Sequence, residues 1–172
     1  MPWQKTLTTT LIVLLAFASG CSRPGPGPEE MKKVNQKLNQ TTMSISLAVK
    51  SMWTTEEFFM QEQLDPRKVD LETWWISLTS TRLNMKRVLE IITTHPSTIE
   101  LARNFWAGRI QEYLDQIIGA GLLGSMPGPI TSRLAETYGA ERVQKEAGDV
   151  LELTRRIETT LGIERTPAST DG

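Results

Sequence analysis

The chain of 172 residues holds one cysteine, Cys21, and one histidine, His95. A lone thiol forms no intramolecular disulfide, so the fold must be held together by packing. The same scarcity excludes a tetrathiolate or mixed Cys/His zinc site. A ferritin-like di-metal bundle is excluded as well, because it needs two Glu-x-x-His pairs, and the residue three before His95 is Ile92. Long apolar runs are also missing. The stretch from Leu11 to Ala18 falls well short of the roughly 17–25 residues that a membrane-spanning helix needs. There is no cationic surplus, with 19 Lys and Arg against 20 Asp and Glu. Nothing is therefore available in excess to neutralise phosphates, and nucleic acid is not an expected partner. No segment alternates apolar and polar residues as a half-buried strand does.

What is present begins with the N-terminus. Lys5 precedes Leu11-Ile12-Val13-Leu14-Leu15-Ala16-Phe17, and Ala18-Ser19-Gly20-Cys21 follows. A cation, a short apolar run and a small-residue exit make up an export signal. The small side chains fit an extended chain into a peptidase groove, and a thiolate is a strong nucleophile suited to forming a thioether. The segment resembles the bacterial lipoprotein signal peptide, whose lipobox ends in a small residue followed by the cysteine that is modified. It departs from that pattern at Ala18, where the family most often has Leu. The resemblance implies cleavage between Gly20 and Cys21, followed by diacylglyceryl and N-acyl modification of Cys21 with palmitate-type chains. Each buried CH₂ contributes about 0.8 kcal/mol and stable anchoring takes two membrane-binding signals, a requirement that three acyl chains exceed. Ser22 is not the aspartate associated with inner-membrane retention. The implied location is thus the cell membrane, facing periplasm or exterior, and the outer membrane where the host has one.

Four segments follow from this organisation. Residues 1–20 form the signal peptide and 21–28 the lipidated cysteine with a Pro/Gly tether. Residues 29–165 form a helical domain, and 166–172 a tail with nothing to pack. The alternation Pro24-Gly25-Pro26-Gly27-Pro28 blocks helix and sheet and favours extended chain. Ser22 to Pro28 would reach about 20 Å at roughly 3.1 Å per residue. The part after the signal has the size of one ordinary domain and is long enough to bury a core.

Helical periodicity runs through that domain. Met31, Leu38, Ile45 and Met52 lie seven apart, with Val34, Thr41 and Ala48 three residues after the first three. This is a heptad-like seam. Thr54 and Glu57 form a capping-box pattern that predicts a new short helix with Phe58, Phe59 and Leu64. Asp65-Pro66 predicts the next start, leading a helix with Leu71, Trp74, Trp75, Leu78, Met85, Val88, Leu89 and Ile92 on one face. His95-Pro96 predicts its end. Ser97 and Glu100 predict the start of a helix that carries Ala102, Trp106, Ile110, Tyr113, Leu114 and Ile117 to Gly119 and Gly121. A last helix is expected from about Ile130 to Leu161, open to bending at Gly139 or Gly148 and stopped by Gly162. The expected fold is all-α: a small bundle of four main helices and one short one.

Few residues offer chemistry. Gly119-Ala120-Gly121-Leu122-Leu123-Gly124 matches G-x-G-x-x-G, but that motif cradles pyrophosphate only between a strand and a helix. Here a helix is expected before it and Pro127-Gly128-Pro129 after it. An apolar inter-helix loop is the expectation, with Leu122, Leu123 and Met126 either tucked over the bundle end or exposed as a contact patch for a partner. His95 is expected in a turn at a helix terminus, and no base is left to activate a serine. Glu56/Glu57 and Asp65/Asp70 are expected near helix starts, where the dipole favours acids. No catalytic residue, cofactor or metal is assigned. Trp74 and Trp75 point about 100° apart on a helix, so either both lie inside or at the core edge under a wide arc of helices, or one ring is a partner contact. The leading expectation is a membrane-anchored envelope lipoprotein serving as a non-catalytic interaction, assembly or accessory factor with an envelope protein as partner. A helical carrier of an apolar ligand or lipid is the alternative, and a carboxylate-dependent envelope enzyme the third.

Overall fold

A computed structural model describes residues 25–62, 69–119 and 129–164. Among them the chain is all-α: α1 (Pro28–Glu62), α2 (Leu71–Thr94), a 3₁₀ turn (Pro96–Thr98), α3 (Ile99–Trp106), α4 (Arg109–Gly119), α5 (Pro129–Tyr138) and α6 (Ala140–Leu161). Contacts divide the chain into two units, Met1–Lys32 and Lys33–Gly172. In the first, 25–27 have no regular structure and 28–32 open α1. The second unit contains every buried apolar residue of the core.

α1 runs for 35 residues without a break, which corrects the expected restart at Thr54. Between Glu29 and Glu62 there is neither glycine nor proline. The hydroxyls of Thr54 and Thr55 donate back to the carbonyls of Lys50 and Ser51 at 2.7 and 2.9 Å. They are thus used inside the helix rather than as caps. Glu56 and Glu57 lie within α1 instead of opening a helix. The heptad seam turns inward: Leu38, Ile45, Val49 and Met52 are fully buried. Thr41 and Thr42 share that face without stranding a polar group, since their hydroxyls donate to Lys37 and Leu38 carbonyls at 2.8 and 2.7 Å.

α2 begins at Leu71, not at the Asp65-Pro66 pair, which lies outside the described residues. Its N-cap is Asp70, whose carboxylate accepts from the backbone N–H groups of Glu72 and Thr73 and from the Thr73 hydroxyl. His95-Pro96 ends the helix as expected. The His95 N–H donates to Ile91, and its carbonyl accepts from the Thr98 N–H and hydroxyl. The next helix starts one residue later than a cap at Ser97 implies. A 3₁₀ turn intervenes, α3 starts at Ile99, and Thr98 at the N-cap position makes no side-chain cap bond.

Two expected long helices are each split by a glycine with positive φ. Gly108 (φ 97°) separates α3 from α4, and Gly139 (φ 92°) separates α5 from α6. That backbone region costs an L-residue strain that glycine avoids. At Gly139 one residue serves both sides, its N–H donating to Ala135 and its carbonyl accepting from Val143. Gly148, by contrast, stays helical inside α6.

The core forms where α2 lies along α6, with α5 on α6 and α3 near its C-terminal end. Trp74, Leu78, Met85, Val88 and Ile92 of α2 meet Val143, Val150, Ile157 and Leu161 of α6 within one cluster of buried residues. Each fully buried side chain of this size contributes about 1.5–3 kcal/mol relative to exposure. An Arg82–Glu146 ion pair also joins α2 to α6. α6 ends as expected at Gly162, in the left-handed region. The Gly162 N–H donates to Thr159 and the Ile163 N–H to Glu158, the two bonds of a Schellman motif.

Candidate functional site

The apolar residues that fail to reach the core are the ones with something left to contact. Four large side chains are exposed among the described residues: Met43 and Leu47 on α1, and Ile76 and Leu83 on α2. Each pair is spaced so that its members share one face of their helix.

Met43 borders one groove, and Ile76 and Leu83 border a second. The first, about 360 Å³, runs between α1 and the α3–α4 corner, lined by Asn39, Thr42, Met43, Ser46, Phe105 and Ile110. The corner exists because Gly108 turns the chain after Trp106 has been driven inside. The second, about 330 Å³, follows α2 past Trp75, Ile76, Thr79, Ser80, Leu83 and Arg87. Both are mixed in character, with hydroxyls and amides between apolar side chains. That composition suits a protein surface better than a purely apolar ligand.

The aromatic residues divide clearly. Trp74 is 2% exposed and belongs to the core, so its ring is not presented to a partner as the sequence allowed. Its indole Nε1, like that of buried Trp106, finds no acceptor among the described residues. Trp75 is half-buried, stacked on Tyr138 with centroids 4.9 Å apart and planes inclined by 15°. Arg142 lies over the same ring at 5.1 Å. Trp53 and Tyr113 stack similarly, tying α1 to α4 at 5.1 Å. Trp75 therefore lines the second groove with its ring already contacted by Tyr138 and Arg142.

The remaining assignments distribute as follows. Gly20, Cys21, Leu122, Leu123 and Met126 lie outside the described residues. A helix, α4, precedes the glycine-rich stretch and ends at Gly119, so the strand that a dinucleotide site requires does not occur there. The seam from Met31 to Met52 is mainly interior, forming one side of the bundle. Among the described side chains of α1, the exposed large apolar residues are Met43 and Leu47. Among the described residues no three His, Cys, Asp or Glu side chains gather in a metal-binding arrangement. No described helix is long and apolar enough to cross a membrane.

The fold thus defines a small all-α bundle with two grooved faces. No protein-family model, curated protein or solved structure matches the chain.

Proposed function

We propose that the protein is a bacterial cell-envelope lipoprotein, held to the membrane by acyl chains on Cys21, that works through protein contacts rather than catalysis. The observation that carries this is the order of residues from Lys5 through Leu11–Phe17 to Gly20-Cys21. A lone thiol placed directly after a short apolar run and a small-residue exit is the arrangement that lipidation requires. The outer membrane is the proposed location where the host has one, since Ser22 follows the cysteine.

Two features of the domain support the contact role. Met43 stands out from α1 in the groove that Phe105 also lines, with Leu47 exposed one turn further on, and Ile76 and Leu83 stand out from α2. Exposed apolar side chains grouped in grooves with polar rims are what an assembly or accessory factor would present. Cys21→Ala tests the anchor. In intact cells it is expected to leave unprocessed precursor or to release the domain from membranes. Unchanged processing and membrane association would contradict the proposal. For the contact role, Met43→Glu with Leu47→Glu is expected to abolish crosslinks from the first groove to an envelope protein while leaving the helical circular-dichroism signal intact. Crosslinks that persist unchanged would remove that face from the proposed interface.

A further inference from the structure

The side of α2 turned away from the core carries a second stripe. Residues three, four and seven apart share a helix face, which aligns Glu72, Ile76, Thr79, Ser80, Leu83 and Arg87. Ile76 and Leu83 are 58% and 45% exposed. The small Thr79 and Ser80 lie between them and make the floor of the groove that Trp75 walls. Thr79 Oγ1 is buried there and finds no hydrogen-bond partner among the described residues. A merely solvated face would place charge at its centre. This one is apolar and small at the centre, with charge at the two ends.

The stripe also reads alike in both directions from the midpoint between Thr79 and Ser80. Ile76 lies three residues before Thr79, and Leu83 three after Ser80. Glu72 lies seven before Thr79, and Arg87 seven after Ser80. Two such helices packed antiparallel about a two-fold axis at that midpoint bring Ile76 level with Leu83 of the other copy. Glu72 then comes level with Arg87 of the other copy, with Lys86 one 1.5 Å step away. Both ends of the contact gain opposite charges by one operation, which is the self-complementarity a two-fold interface requires. Parallel packing would instead oppose Glu72 to Glu72 and Arg87 to Arg87.

We propose that this face of α2 seats a second copy of the chain, antiparallel about the Thr79–Ser80 midpoint, with Ile76 and Leu83 interdigitating and Glu72 paired with Lys86 and Arg87 across the axis. Thr79 and Ser80 allow the two backbones to approach closely. The contact runs roughly 22 Å along the helix at 1.5 Å per residue. That length belongs to the small end of specific interfaces, so the dimer is weak and reversible and strengthens when copies are concentrated. The proposal does not depend on where in the cell the protein resides.

The test uses the full chain expressed in cells, with Cys21 retained. Ser80→Cys, close to the axis, is compared with Lys50→Cys, an exposed position on α1, after treatment with a short thiol crosslinker. A covalent dimer of this chain, identified by mass, is expected several-fold more from Ser80→Cys than from Lys50→Cys. Glu72→Arg is expected to lower that yield several-fold, and adding Lys86→Glu and Arg87→Glu to restore it. Ile76→Cys coexpressed with Leu83→Cys, both at exposed positions, should give a mixed dimer in excess of either alone. The proposal is overturned by a Ser80→Cys yield no higher than the Lys50→Cys control, by crosslinking only to a different protein, or by a yield indifferent to charge reversal.

Discussion

Arg103 of α3 donates through Nε to the carbonyl oxygen of Leu161, the last residue of α6, at 2.8 Å. A guanidinium is thereby placed where the carbonyls of α6 run out of intrahelical partners and its dipole is negative. A Cβ at the neighbouring Gly162 would meet Arg103 Nη2 at 3.6 Å, an ordinary contact, so the glycine is favoured there by its positive φ rather than by crowding. Arg103→Ala is expected to destabilise the domain by about 1 kcal/mol. Arg103→Lys should recover only part of this, because an ammonium lacks the planar fork. Urea unfolding of the three proteins measures both differences.

The glycines should respond with opposite signs. Gly108→Ala and Gly139→Ala force an L-residue into φ values of 97° and 92°, and each is expected to cost about 1 kcal/mol or more. Gly148 has ordinary helical geometry, and a Cβ added there meets nothing within 4 Å. Gly148→Ala is therefore expected to stabilise by about 0.5–1 kcal/mol, through helix propensity and a less disordered unfolded chain. Thermal melts of the three variants against the parent should separate one stabilised protein from two destabilised ones.

Asp70 gives the α2 N-terminus a dependence on pH. The Thr73 hydroxyl, followed by the backbone N–H groups of Thr73 and Glu72, donates to its carboxylate and holds its pKa below the usual carboxylate range. A group whose folded pKa lies below its unfolded value of about 3.9 stabilises the fold above that value. The stabilisation is lost as pH falls through the lower folded pKa. The melting temperature of Asp70→Ala should therefore lie below the parent's at neutral pH, and the gap should close under acid conditions. A gap that stays constant down to strongly acid pH would show that the charged cap is not responsible.

Trp106 is fully buried and its Nε1 has no acceptor among the described residues. Trp106→Ala leaves a cavity and is expected to cost about 3–5 kcal/mol. Trp106→Phe retains much of the ring volume and removes the unpartnered donor, whose burial is itself unfavourable. Its cost should be well below that of alanine. Equal losses for the two substitutions, measured by urea unfolding, would mean that the indole N–H is paired in solution.

The helical class and most of the core were legible because 3.6-residue periodicity selects the same residues that packing buries. Leu38, Ile45, Met52, Trp74, Leu78, Met85, Val150, Ile157 and Leu161 illustrate this. Stops that rest on backbone chemistry were legible as well, at His95-Pro96 and at Gly162. Helix breaks were read less well, for two physical reasons. A Thr-x-x-Glu pattern caps a helix only if the chain has already stopped, and at Thr54 the hydroxyl bonds backwards instead. A glycine interrupts a helix only when its φ is driven positive, and sequence does not distinguish Gly139 from Gly148. On the surface, Ile76 and Leu83 carried a readable signal, a seven-residue spacing on the side opposite Trp74, Leu78 and Met85. Their exposure was not readable, because one apolar stripe looks like another until it is known which meets the core. Trp74 and Trp75 lie inside and at the edge of the core, one of the two arrangements that their separation of about 100° allowed, with Trp75 stacked on Tyr138.

The most direct measurement is the intact mass of the native product extracted from membranes of its own cells. The expected species begins at Cys21, lacks residues 1–20 and carries the added mass of a diacylglyceryl and an N-acyl group. A product that retains Met1, or one that begins at Cys21 with an unmodified thiol, would contradict the proposed anchor.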